Sequence, residues 1–154
     1  MGWNMRRFVL ILICFGLVLI GVGCGETRSA EELLVDICSK HELPAGEIYR
    51  FSAEEGSDGY LSQDTINFLY GDEAERGFAL LEDYAIYLSS FSVPYEVAVF
   101  RCRSTSDTDT IAAMCLGRID AMRVILHDTE YAKVLEKARV TQNGRFVIMV
   151  VADD

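Results

Sequence analysis

The sequence predicts an α+β domain built on a four-stranded antiparallel sheet in the order β-β-α-β-β, with one long helix on a face and short N-terminal helices on the other side or the rim. Two observations carry this. Two pairs of β-rich runs are each joined by a short turn, and between the pairs lies a helical pattern of about twenty residues, roughly 30 Å long and close to the length of an eight-residue strand. The predicted domain covers 29–154.

Ser29-Ala30-Glu31-Glu32 has the form of a capping box, and Leu33, Leu34, Ile37 and Cys38 follow at helical spacing until Pro44 and Gly46 force a stop. Glu47 to Phe51 is a short extended candidate, followed by the polar loop Glu54 to Gly59. Ser62 caps a second short helix closed by Gly71, and a third is expected from Glu73 to Leu81. Tyr84 to Ser89 and Tyr95 to Cys102 read as an antiparallel pair. Ser106 with Asp109 opens the long helix, which runs to about Leu126. Ala138 to Gln142, the turn pair Asn143-Gly144 and Arg145 to Ala152 form the second hairpin. The last strand is apolar on both parities, so its second face needs cover from the N-terminal helices or from a partner.

Ahead of this domain, Phe8 to Val22 is a run of fifteen residues without a charge, preceded by Arg6 and Arg7. It is short for a spanning helix, which needs roughly 20 apolar residues, and it fits a signal segment over 1–23. The end of the run, Gly21-Val22-Gly23-Cys24-Gly25, resembles a bacterial lipobox, and the resemblance implies that Cys24 is acylated and becomes the N-terminus. Ordinary signal cleavage and an uncleaved anchor are the alternatives. Residues 24–28 would then be a short tether of roughly 14 Å at most between Cys24 and the domain.

Cleavage before Cys24 leaves 12 basic against 24 acidic residues, a net charge of −12. A nucleic-acid partner is excluded on that balance, and a polybasic attraction to anionic lipid is excluded with it. The expected location is the outer face of the plasma membrane, with the lipid as the only membrane contact. Cys38 and Cys115 fall on apolar helical stripes and read as core residues, and a Cys102–Cys115 disulfide is the one cysteine pairing to consider.

Candidate chemistry is sparse. At about 100° per residue, Ile111, Met114, Cys115, Met122, Ile125 and Leu126 share one arc of the long helix, and Arg118 falls inside it. A guanidinium there must reach an edge or meet an acid. Glu96, on the strand parity of Ala98, Phe100 and Cys102, is the expected partner, with Glu82 or Asp83 as alternates. The pair is read as structural first and as an anion-receiving site second. His41 and His127 have no second ligand at metal spacing, and the calcium-loop alignment of Glu54 to Thr65 lacks the terminal bidentate glutamate. Neither a nucleophile with a base nor a glycine-rich phosphate loop is present, so the sequence gives no catalytic residue, no metal and no cofactor.

Leu43 to Tyr49, Glu82 to Tyr87, Tyr95 to Phe100, Arg118 and Gly144 to Val147 resemble the lipoproteins of Gram-positive anaerobes grouped as domain of unknown function 4358, over about 29–152. The resemblance implies an exported lipoprotein with a small α+β domain and implies no activity. The expected function is non-catalytic binding of a protein or cell-envelope partner through the sheet face or its rim. The alternative is a small-ligand-binding module at the same location.

Overall fold

The computed structural model describes residues 28–90 and 93–153. The reading of 1–23 as a signal and of Cys24 as a lipid site lies outside them. Along the chain come α1 (Ala30–Cys38), β1 (Glu47–Arg50), α2 (Gln63–Tyr70), α3 (Ala74–Phe78), β2 (Leu81–Ser90), β3 (Val93–Cys102), a 3-10 turn (Thr105–Asp107), α4 (Thr108–Leu126), α5 (Ala132–Glu136), β4 (Arg139–Asn143) and β5 (Phe146–Val151). The sheet has five strands in the order β1-β2-β3-β5-β4, all neighbours antiparallel.

The expected four strands are therefore five. The short stretch Glu47–Arg50, too brief to show alternation, pairs with Ala85 to Leu88 and forms one edge. β2 also begins earlier than its β propensity indicates, because Leu81-Glu82-Asp83 are used for tertiary contacts. A bulge inserts Glu82 between the pairs Leu81↔Cys102 and Asp83↔Arg101, which re-aims its side chain toward Arg101 and Arg145.

The second hairpin turns one residue later than expected. Asn143 pairs with Phe146, so Gly144 and Arg145 are the central residues. Gly144 has φ 58° and no non-glycine residue in the described chain has positive φ, which is the pattern of a type II′ turn with glycine first rather than a type I′ Asn-Gly turn.

Helices cover both sheet faces. Beneath α2, α3, α4 and α5 lie Tyr84, Ile86, Ala98, Phe100, Cys102, Val147, Met149 and Val151, packed against Ile66, Leu69, Ile111, Cys115, Ile119, Met122 and Leu135. On the other face α1 alone sets Ala30 and Leu34 over Ala85, Tyr87, Val97 and Val99. The N-terminal helices thus divide between the faces, with α2 and α3 on the side of the long helix. Val97, Val99 and Phe100 are fully buried. At ~25 cal/mol per Å² of apolar surface, each such side chain contributes about 1.5–3 kcal/mol relative to exposure.

The capping box at Ser29 is complete, with Ser29 Oγ accepting from Glu32 N–H and Glu32 Oε2 accepting from Ser29 N–H, both at 3.1 Å. Asp83 from β2 adds a carboxylate that accepts the Ala30 N–H at 2.8 Å, and Arg50 of β1 pairs with Glu31 at 2.6 Å. These contacts fix α1 to the sheet at its N-terminal end, where negative charge also complements the helix dipole.

Candidate functional site

Glu96 is the only fully buried charged residue in the described chain. β3 alternation aims it at the α4 side with Ala98, Phe100 and Cys102. Two elements reach it. Arg118 of α4 donates from Nε to Glu96 Oε2 at 3.0 Å, and Tyr70, the last residue of α2, donates its hydroxyl to Oε1 at 2.7 Å. Both carboxylate oxygens are thus satisfied by a charged and a neutral donor, which is what a carboxylate removed from water requires. Tyr70 is held by edge-on contact with Phe100 at 5.8 Å and a tilted contact with Phe78 at 5.7 Å.

Arg118 lies at the flank of the buried arc rather than inside it. Ile111, Ala112, Cys115, Ile119 and Met122 form the buried stripe, and the Arg118 side chain keeps 12% of its surface in water. Ile125, placed on the buried arc by periodicity, is 74% exposed, as is Val124 beside it. The two proposed alternates are engaged elsewhere: Glu82 lies 2.8 Å from Arg101 and 2.6 Å from Arg145, and Asp83 caps α1.

Burial raises the Tyr70 phenol well above its usual range, and the Glu96 carboxylate pushes the same way. Burial also raises the Cys115 thiol, again with help from Glu96. A protonated phenol fixed as donor and a thiol held neutral leave this cluster without an activated nucleophile. Glu96 itself has both oxygens occupied. The arrangement ties α2, α4 and β3 together through one point.

Cys38, Cys102 and Cys115 are free thiols, so the Cys102–Cys115 bridge considered from sequence is absent. His41 Nδ1 lies 3.0 Å from the Asp153 carbonyl oxygen, and His127 Nδ1 lies 2.9 Å from that of Val124. Tyr95 donates to Asp153 Oδ2 at 2.5 Å, which raises its phenol to about 12, the hydrogen bond first and burial second.

Outside the Glu96 cluster, a cleft of about 320 Å³ opens between α3 and α4, lined by Tyr70, Glu73, Ala74, Arg76, Gly77, Thr110 and Met114. Its floor shares Tyr70 with the buried cluster. Glu73 and Arg76 at the rim pair with one another at 2.6 Å. Sequence reasoning missed Tyr70; its signal was a hydroxyl-bearing aromatic on the last turn of an amphipathic helix, a residue that usually seeks a partner when buried.

No family model matches the chain, and no curated protein or solved structure matches it at a significant level. The likeness to the domain of unknown function 4358 lipoproteins rests on the quoted motifs alone. No helix among the described residues is long and apolar enough to cross a membrane.

Proposed function

We propose that the protein is an extracytoplasmic lipoprotein of the domain of unknown function 4358 type, tethered through Cys24 to the outer face of the plasma membrane, whose folded domain binds a protein or cell-envelope partner without catalysing a reaction. The observation that carries the partner reading is the C-terminal end of α4, where the adjacent Val124 and Ile125 are each 74% exposed. Isolated exposed apolar residues are ordinary; two adjacent β-branched ones this exposed at one helix end of a strongly acidic domain favour a binding role. The lipobox-like Gly21 to Cys24 supports the tether.

The test is crosslinking on intact cells carrying the tagged protein, with Cys24→Ala and Val124→Glu/Ile125→Glu as comparisons. Radiolabelled palmitate enters the wild-type chain and not the Cys24→Ala chain, and a reproducible partner is lost from the double glutamate variant. Recovery of bait alone from wild-type cells defeats the partner reading, and unlabelled wild-type protein defeats the tether. A second reading, a small-ligand-binding module at the same location, is favoured by the apolar cleft over Tyr70, Ala74, Gly77 and Met114. It predicts ligand-dependent protection against thermal unfolding that Gly77→Leu abolishes.

A further inference from the structure

Lining, charge and size together limit what the cleft between α3 and α4 can hold. Tyr70 is only half-buried although its hydroxyl is engaged: the oxygen donates to Glu96, and Phe78 and Phe100 meet the ring at 5.7 and 5.8 Å. The ring surface left over lines the cleft, as does the half-buried Met114. Ala74 and Gly77 present almost no side chain, so the α3 wall stands close to α4; a Cβ on Gly77 would lie 2.9 Å from Met114 Sδ. The result is a narrow recess whose inner surface carries an aromatic ring and a thioether.

Charge is the next limit. Apart from Tyr70, the ionisable side chains of the lining are Glu73 and Arg76, which pair with each other at 2.6 Å and keep 78% and 84% of their surface in water. A charged ligand would lose hydration on entering without meeting a buried counter-charge. The Tyr70 hydroxyl is committed to Glu96, which leaves Thr110 as the lining residue whose hydroxyl has no partner among the described residues.

The volume of about 320 Å³ is at the small end of ligand pockets, which run from about 300 to 1,000 Å³. Aromatic rings pack favourably against the edge or face of a tyrosine, and methionine sulfur makes favourable contacts with them. Tyr70 and Met114 therefore both select a ring over an aliphatic chain of similar size.

We infer that the cleft binds a small uncharged aromatic molecule, a single ring with a polar substituent directed to the Thr110 hydroxyl. The inference rests on the small-ligand reading and gives that reading its ligand class.

Benzyl alcohol tests it, compared with benzoate, benzylamine and the aliphatic pentanol, each titrated into the full chain in lipid nanodiscs with its methionine methyls labelled by carbon-13. Met114 reports the cleft, and the fully buried Met149 reports any general perturbation. Thr110→Val removes the hydroxyl and Thr110→Phe sets a ring in the opening; the position is exposed, so neither alters a core residue.

Benzyl alcohol shifts the Met114 methyl saturably and leaves Met149 in place, pentanol binds more weakly, and the two ions leave Met114 unmoved. Thr110→Val weakens benzyl alcohol about fivefold, the ratio of one neutral hydrogen bond, and Thr110→Phe abolishes the shift. Saturable binding of benzoate, benzylamine or pentanol as tight as that of benzyl alcohol overturns the inferred class while leaving a ligand site in place. Binding that Thr110→Val and Thr110→Phe both leave unchanged overturns it as well, by placing the molecule elsewhere. A Met114 methyl that none of the four compounds shifts saturably defeats the small-ligand reading itself.

Discussion

Replacing Arg118 by methionine keeps the apolar stem and removes the charge, which isolates what the guanidinium does for Glu96. Glu96 is fully buried and loses one of its two donors, keeping only the Tyr70 hydroxyl. Breaking a buried pair from one side costs roughly 3–5 kcal/mol, and the retained tyrosine bond places this case near the lower end, about 3 kcal/mol. In a domain of this size that is about 10 °C in Tm. Glu96→Gln is the informative counterpart. Its amide oxygen can still accept from Tyr70, and Arg118, with 12% of its side chain in water, is partly solvated when unpaired, so the expected loss is about 1–2 kcal/mol. Glu96→Leu combined with Arg118→Met removes both charges and costs less than Arg118→Met alone. Urea unfolding followed by far-ultraviolet circular dichroism measures all three. A loss under about 1 kcal/mol for Arg118→Met, or a larger loss for Glu96→Gln than for Arg118→Met, refutes the reasoning.

Tyr70→Phe strips Glu96 Oε1 of its only described donor and destabilises by about 1–3 kcal/mol in the same urea assay. Gly144→Ala introduces a Cβ at φ 58° and costs about 1 kcal/mol, read from the thermal midpoint, with no change in cleft residues. The half-buried Cys38 and the buried Cys102 have thiols raised to about 11 by desolvation, so alkylation of both in the folded chain is slow at pH 8 and speeds up in urea; equal rates at Cys102 in both conditions would contradict its buried placement. Tyr95 is raised above its unfolded value, so its contribution to stability is complete below pH 10 and is lost as pH rises toward about 12. Asp153→Asn shifts that loss to lower pH, which a spectroscopic phenol titration resolves.

The central architecture was legible where sequence pattern and tertiary role agree. The capping box at Ser29, the body of the long helix and the two hairpins each combine local signals with the contacts they finally make, but Ser106 with Asp109 does not cap the long helix: Ser106 sits in the 3-10 turn, its N–H donating to Ser104 Oγ, and the helix follows from Thr108. The misses have physical causes. β1 has four residues, too few for a period, and exists because β2 offers an edge. The charged start of β2 reads as loop until Arg101, Arg145 and the α1 N-terminus supply partners for Glu82 and Asp83. α5, at Ala132–Glu136, is too short to show a helical repeat. Periodicity placed Arg118 and Glu96 on facing surfaces, but a helical wheel cannot say how far a helix is covered along its length, which is why Ile125 was misplaced. Tyr70 came from a separate helix, and no local pattern connects position 70 with position 96.

The attachment of α1 has a mechanical consequence. Any load drawn on the chain ahead of Arg28 enters the folded part at the first turn of α1, where the Asp83 carboxylate holds Ala30 and Arg50 holds Glu31. α1 covers Val97 and Val99, so its packing on β2 and β3 resists the pull before any strand is disturbed. Should they yield, the helix peels away and uncovers a smooth apolar sheet face while the opposite layer of α2, α3 and α4 stays closed. Tension at the amino end would thus expose one surface and spare the other.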